Sequence, residues 1–239
     1  MDFFVKSKRT VAVFGLTGDP FTVAHREICK KAINALPIDK LYVIPTVVDY
    51  HRKGKNRWLS DGERLDCMRY MLWSLGDYYL GKWEIDRHEI DLKWLCGYAD
   101  EFVHSGLTDE IISKRRFIHT LLDFKSRIGV FTQIMLILGT DSLKNFTSWY
   151  RWKEVCYNIS SLVVVNGRDG ETIAIPPEVK SVIGGRYCNL PLKNEDMLKV
   201  SASKVRKACL KDRYTLDLYK DCVEDFDKGR ISLGDLKWI

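Results

Sequence analysis

Residues 10–25 read Thr10-Val11-Ala12-Val13-Phe14-Gly15-Leu16-Thr17-Gly18-Asp19-Pro20-Phe21-Thr22-Val23-Ala24-His25, and a helical pattern follows at once. The β-branched run at 10–14 predicts a short buried strand that breaks at Gly15. A strand feeding a glycine-containing turn and then a helix presents free backbone N–H groups at the helix start, where the helix dipole adds positive potential. Thr22 and His25 are three apart and share a face of the first helical turn. The stretch therefore predicts a turn of amides flanked by two side-chain donors, a setting suited to a polyphosphate.

Working outward, similar apolar runs recur at 41–44, 133–138 and 162–165, with helical periodicity at 24–36, at 65–75 and, more briefly, at 149–155. This alternation predicts an α/β fold: a Rossmann-like parallel sheet with helices on both faces, plus a small C-terminal helical segment. Two runs end in notable residues, Gly139-Thr140-Asp141 after the third and Asn166-Gly167-Arg168-Asp169-Gly170 after the fourth. Ligands of open parallel sheets bind beyond the carboxyl ends of the strands, so Gly15, Gly139, Asp141 and Arg168 are expected along one edge. With no repeat, low-complexity tract or Pro-rich linker, residues 1–239 read as a single domain, with a helical insertion at 91–116 and a phosphate-binding helix and tail at 200–239.

The 239 residues suffice for a substantial core. Seven cysteines, an odd number without a Cys-x-x-Cys pair, argue against a disulfide framework or zinc site and for a reducing cytoplasm. Cys29, Cys67, Cys156 and Cys209 lie in helix-like apolar settings and are expected as small core residues. No signal-peptide pattern opens the sequence and no apolar run reaches membrane-spanning length, so the expected location is cytoplasmic, without a membrane partner. The net charge of +6 suits anionic small molecules. The basic run His51-Arg52-Lys53-Gly54-Lys55-Asn56-Arg57 reads either as a phosphate-meeting loop or as a solvated face. It lacks the interleaved aromatics of a strand-binding surface, so no nucleic acid is expected. The composition is compatible with a homo-oligomer.

A second segment, Val200-Ser201-Ala202-Ser203-Lys204-Val205-Arg206, has Ser201 placed as an N-cap, with Ser203 and Arg206 on one face near the helix start. Alone it would read as a capped surface helix. Paired with Gly15-x-Thr17-x-Asp19-Pro20-x-Thr22-x-x-His25, it resembles the two signatures of the HIGH-type nucleotidyltransferases. Intervening matches resemble the bacterial nicotinate-nucleotide adenylyltransferase branch: Ile44-Pro45 then His51-Arg52, Arg64 and Met68, Gly139-x-Asp141-Ser142-Leu143, Trp149-Tyr150, and Arg168-x-Gly170. These run in the family's order over nearly the whole chain.

The resemblance implies adenylyl transfer from ATP to nicotinate mononucleotide, giving nicotinate adenine dinucleotide and pyrophosphate for NAD synthesis. It assigns His25, Thr22 and Arg206 to catalysis, and Gly15, Thr17, Gly139, Asp141, Arg168, Ser201 and Ser203 to ATP. His51, Arg52, Lys53, Trp149 and Arg116 fall to the mononucleotide. Mg²⁺ would accompany the ATP phosphates largely through water, since no carboxylate cluster stands out. Asp141 also reads as an N-cap after Thr140, Trp149 as a core residue, and Arg168 as an exposed loop arginine. His88, His104 and His119 match no motif and are expected at the surface or in helix packing.

Four departures from the family pattern stand out. Leu16 replaces a glycine and Gly18 an aromatic, shifting the flexible turn position by two; Ala24 replaces a glycine; Thr22 stands for a histidine. Arg116 and Phe117 occupy the place of a Tyr-Thr pair whose threonine helps to recognise the nicotinate carboxylate; phenylalanine cannot donate, whereas Arg115 or Arg116 could pair with a carboxylate. Nicotinamide mononucleotide is the alternative acceptor. Transfer to another phosphate such as pantetheine phosphate, and an inactive nucleotide-binding regulator on the same fold, are the remaining readings.

Overall fold

The structure, a computed structural model, describes residues 8–46, 58–91, 116–165 and 174–192, together with 202, 205 and 206. Six strands form one sheet: β1 (Thr10–Leu16), β2 (Lys40–Pro45), β3 (Trp83–Ile85), β4 (Gln133–Gly139), β5 (Ser161–Val165) and β6 (Tyr187–Leu190). Every pairing is parallel, and the order is β3-β2-β1-β4-β5-β6. This is the doubly wound order, in which the direction of winding reverses between β1 and β4.

The helices are α1 (Val23–Ala35), α2 (Asp61–Trp73), α3 (Phe117–Ile128), α4 (Thr140–Lys144), α5 (Trp152–Asn158) and α6 (Pro177–Ile183). They cover both faces, which is why the strands read as continuous apolar runs rather than as alternation. Ala12, Phe14, Leu41, Val43, Met135, Ile137 and Val163 pack with α1 and α2. Their neighbours Val11, Val13, Tyr42, Ile44, Leu136 and Leu162 pack with α3, α5 and α6 on the opposite face. The period of two along each strand thus sorts one sheet into two cores.

All four strands expected from the sequence are present. The missed ones, β3 and β6, are short edge strands of three and four residues. Each interrupts its apolar residues with a polar one, Glu84 or Asn189, and so carries no continuous hydrophobic run. The helix expected at 65–75 begins earlier, because Ser60 caps it: Glu63 N–H donates to Ser60 Oγ, and Ser60 N–H donates to Glu63 Oε2. The helix expected at 149–155 begins only at Trp152, since Arg151 adopts a left-handed conformation with φ of 54°. Trp149 and Tyr150 therefore stand on the turn before it.

Cys29, Cys67 and Cys156 are buried, as expected; Cys209 lies outside the described residues. Burial pushes the Cys29 thiol far up and the Cys156 thiol up to about 11, so neither presents a thiolate at neutral pH. His88 packs as expected, its Nε2 3.0 Å from Asp123 Oδ2 on α3. Of the expected 91–116 insertion, only its two end residues, Asp91 and Arg116, are described. The C-terminal segment is represented by helical Ala202, Val205 and Arg206, with Val205 in the α1–α2 core.

Candidate active site

The end of β1 carries the turn that the sequence singles out. Leu16 sits in an ordinary strand position, paired with Pro45 of β2. The left-handed residue is Gly18, at φ +57°, and a Cβ there would lie 2.1 Å from Met68 Cε. The conformational freedom expected of a glycine pair in this turn has thus moved to Gly18, and Leu16 is unstrained. Gly15 serves close approach instead: a Cβ on it would lie 3.0 Å from the Phe117 ring. Ala24, the other departure, is buried.

At the start of α1, Thr22 N–H donates to His25 Nδ1 at 2.9 Å, and Thr22 Oγ1 lies 3.0 Å from the same nitrogen. The imidazole takes the place that a glutamate fills in the usual capping box, satisfying the N-cap amide. With Nδ1 accepting, the proton of the neutral ring is on Nε2. Phe21 and Phe14 fix the ring plane at centroid distances of 5.2 and 6.2 Å. Thr22 itself is wholly buried. Its hydroxyl faces the imidazole and is closed off from solvent, so in this structure it supports His25 at the helix start.

Two buried charged residues brace the turn. The Arg64 guanidinium, from α2, donates to the Thr17 carbonyl through Nε at 3.0 Å, to the Thr46 carbonyl at 2.7 Å and to Asp61 Oδ1 at 2.9 Å. The Asp19 carboxylate accepts from the backbone N–H groups of Trp58 and Leu59 at 3.3 and 3.0 Å. The Asp19 backbone carbonyl in turn accepts from Arg206. Residues 187 positions apart in sequence thereby meet, and the two signature segments form one site.

Across the reversal in winding, β4 ends at Gly139, the N-cap of α4. Its φ of −73° needs no glycine, and a Cβ there would meet nothing within 4 Å. Open space lies on the side where a Cβ would point. Asp141 is exposed in the first turn of α4, so the expectation that it caps the helix is corrected: Gly139 holds that position.

The third part of the site is aromatic. Trp149, half-buried, meets Phe117 and Phe146 in edge contacts at 5.1 and 5.2 Å. Arg116 is the N-cap of α3, and its N–H donates to His119 Nδ1 at 3.1 Å. His119 also approaches the exposed Tyr150, ring to ring at 6.0 Å. His119 is a residue that motif reading passes over, and that reading assigns Asp19 and Phe117 no contact of the kind seen here. The spacing Arg116-x-x-His119 repeats Thr22-x-x-His25, which was the available signal. Of the expected residues, Gly15, Thr17, Thr22, His25, Arg116, Gly139, Asp141, Trp149 and Arg206 are described. His51, Arg52, Lys53, Arg168, Ser201 and Ser203 lie outside the described residues.

Among the described residues no group of three or more His, Cys, Asp or Glu side chains converges to hold a metal ion. Nor is any described helix long and apolar enough to cross a membrane.

An all-parallel sheet whose winding reverses beside a histidine-capped helix start defines a Rossmann-topology protein with a nucleotide-type site. The chain belongs to the cytidylyltransferase-like family, whose model matches residues 13–208. A probable nicotinate-nucleotide adenylyltransferase of Campylobacter fetus is 29% identical over 212 residues, covering 88% of this chain and 97% of the relative. Another so named, from Aliarcobacter butzleri, is 20% identical over 206 residues, with 81% and 98% covered. The Plasmodium falciparum nicotinic acid mononucleotide adenylyltransferase complexed with NaAD superposes with a TM-score of 0.61 at 14% identity, covering 94% of this chain and 99% of that one. That likeness bears on the fold.

Proposed function

We propose that the protein transfers the adenylyl group of ATP to nicotinate mononucleotide, releasing pyrophosphate and forming nicotinate adenine dinucleotide, a step in NAD biosynthesis. One observation carries the reading: the Arg206 contact with the Asp19 carbonyl joins the C-terminal signature to the turn capped by His25. The sequence relatives named above support the same activity. The acceptor phosphate attacks the α-phosphorus as the bond to the β-phosphate oxygen breaks. The nucleophile is already an anion, so the site needs alignment and charge neutralisation rather than a general base.

In this reading His25 donates from Nε2 to the ATP phosphates, its ring fixed in advance by Thr22, Phe14 and Phe21. Gly15 and Thr17 line the turn beside it. The open space at Gly139 admits the nucleoside, and exposed Asp141 accepts from a ribose hydroxyl. Arg206, with Ser201 and Ser203 of the same signature, holds the leaving pyrophosphate. Arg168 meets the adenine or a phosphate. His51, Arg52 and Lys53 meet the acceptor phosphate, and Trp149 stacks on the pyridine ring. Mg²⁺ fits only as an ion carried on the ATP phosphates, since the Asp19 carboxylate is taken up by two amides and no described acidic cluster offers a cage. When bound, it adds positive charge at the transferring phosphate.

Half-buried Arg116 at the start of α3 favours a carboxylate-bearing acceptor, because Phe117 beside it has no donor for a carboxamide. Nicotinamide mononucleotide is the second reading on the same ground: a guanidinium also donates to an amide carbonyl. In this reading the protein is a cytoplasmic enzyme that acts as one domain, alone or as a homo-oligomer. Incubation with ATP, Mg²⁺ and each mononucleotide, with pyrophosphate as readout, tests the proposal. Faster release with nicotinate mononucleotide is expected; no release with either overturns it.

A further inference from the structure

Arg64 and Asp19 are charged, buried, and not placed to touch substrate. The Arg64 side chain has no exposed surface, and its partner Asp61 is 7% exposed. A guanidinium so enclosed is costly unless its donors are satisfied, and an apolar side chain of similar volume would fill the space without that cost. What Arg64 provides that such a residue cannot is directional bonding to two different chain segments. Its donors reach the carbonyl of Thr17, inside the β1–α1 turn, and the carbonyl of Thr46, the first residue after β2. These lie at the carboxyl ends of neighbouring strands, at and just beyond their last backbone bond, from Thr46 N–H to the Leu16 carbonyl at 2.9 Å.

Asp19 makes the complementary link. Its carboxylate takes the amides of Trp58 and Leu59, where the chain enters α2. The chain leaving β2 at Thr46 and the chain arriving at Leu59 are therefore both tied to the β1–α1 turn, each by a buried charged group. Arg206 docks on the same residue, through the Asp19 carbonyl. Three segments that carry phosphate-meeting residues in the activity proposed above share this one brace.

We infer that Arg64 and Asp19 are positioning residues that set the ATP turn and the acceptor side in register, so that their loss lowers turnover more than it weakens binding of either substrate alone. The inference rests on the adenylyltransferase reading. Reacting groups in a transfer of this kind must align to within about an ångström, and a misplacement of that size costs about a hundredfold in rate.

The test uses the full chain and the variants Arg64→Met, Arg64→Lys and Asp19→Asn. Active sites are counted by titration with the non-reacting analogue α,β-methylene-ATP, and kcat and both KM values are then expressed per titrated site. Arg64→Met is expected to lose about a hundredfold in kcat with each KM changed less than about threefold. Arg64→Lys, which keeps the charge but not the fork, is expected to lose about tenfold, and Asp19→Asn a similar amount. A merely structural role would reduce the titrated fraction and leave kcat per site near normal, and that result in any folded variant overturns the inference. If Arg64→Met does not fold, Arg64→Lys and Asp19→Asn decide it by the same criterion. Wild-type protein that releases no pyrophosphate with either mononucleotide overturns the activity itself, and the substrate-aligning role with it.

Discussion

Helices α1 and α3 begin in the same way and do different work. In each, the N-cap amide donates to Nδ1 of a histidine three residues on: Thr22 to His25, Arg116 to His119. In each, that bond leaves the ring proton on Nε2 and fixes the imidazole at the helix start. The difference lies in what precedes the cap. Before α1 the chain runs through Gly15 and the left-handed Gly18, and Phe14 and Phe21 flank the His25 ring. Before α3 stands Arg116, and the first helical residue is Phe117, whose ring lies against Gly15 and against Trp149. In the activity we propose, one cap serves a surface for phosphate and the other a surface for a flat ring. A local motif sets the histidine; its surroundings set the ligand chemistry.

Replacing the two histidines in turn is the sharpest way to break this comparison. His25→Ala is expected to lower kcat by about 10²–10³, the usual cost of losing one preorganised donor. His119→Ala is expected to keep kcat within about threefold, because the acceptor ring is held by stacking and not by that imidazole. Steady-state pyrophosphate release with both variants checks this. Equal losses would mean that the two helix starts are chemically alike, and the division drawn between them would fall.

Trp149 tests the aromatic side alone. Base-type stacking on an aromatic side chain contributes about 1–3 kcal/mol. Trp149→Ala should therefore raise KM for the mononucleotide by about tenfold while KM for ATP stays within about twofold. If both rise together, Trp149 is supporting the fold through Phe117 and Phe146 rather than binding a ring.

Arg116 sharpens the comparison further, since among the described residues it is the charge at the start of α3, beside Phe117, that could read the acceptor's substituent. Its exposure limits what an ion pair there contributes, about 1 kcal/mol. Arg116→Gln is accordingly expected to shrink any preference for nicotinate over nicotinamide mononucleotide by about fivefold in kcat/KM. An unchanged preference would move carboxylate recognition elsewhere.

Much of this was legible in the sequence, and the remainder was hidden for physical reasons. The four central strands announce themselves because both faces are buried and their apolar runs are unbroken. Edge strands β3 and β6, half-covered and short, carry Glu84 and Asn189 and lose that signal. The two signature segments were readable as patterns, but only the fold shows that Arg206 meets Asp19. Asp19 and Arg64 act on backbone carbonyls and amides, partners that leave no trace in residue identity. Thr22 shows the opposite limit: its spacing from His25 was read correctly as a shared face, while its direction, inward to the imidazole, depends on burial. His119 was missed because a histidine at the third helical position has no capping reputation, whereas glutamate at Glu63 does.

The smallest expected effect concerns stability, and it is where the two helices should agree. Each histidine satisfies one N-cap amide, and loss of a capping interaction typically costs about 1 kcal/mol. For a chain of this size that corresponds to about 2–4 °C in Tm. His25→Ala and His119→Ala should therefore fall together in thermal denaturation while their turnover differs by about a hundredfold or more. Gln in place of either histidine offers an acceptor oxygen at the same position and should recover part of the stability in both. In His25→Gln that recovery should leave turnover low, because the amide group does not reproduce the Nε2 donor in the same place. A Tm loss confined to one of the two helices would show that the shared hydrogen bond contributes unequally. The resemblance between the two helix starts would then be geometric only.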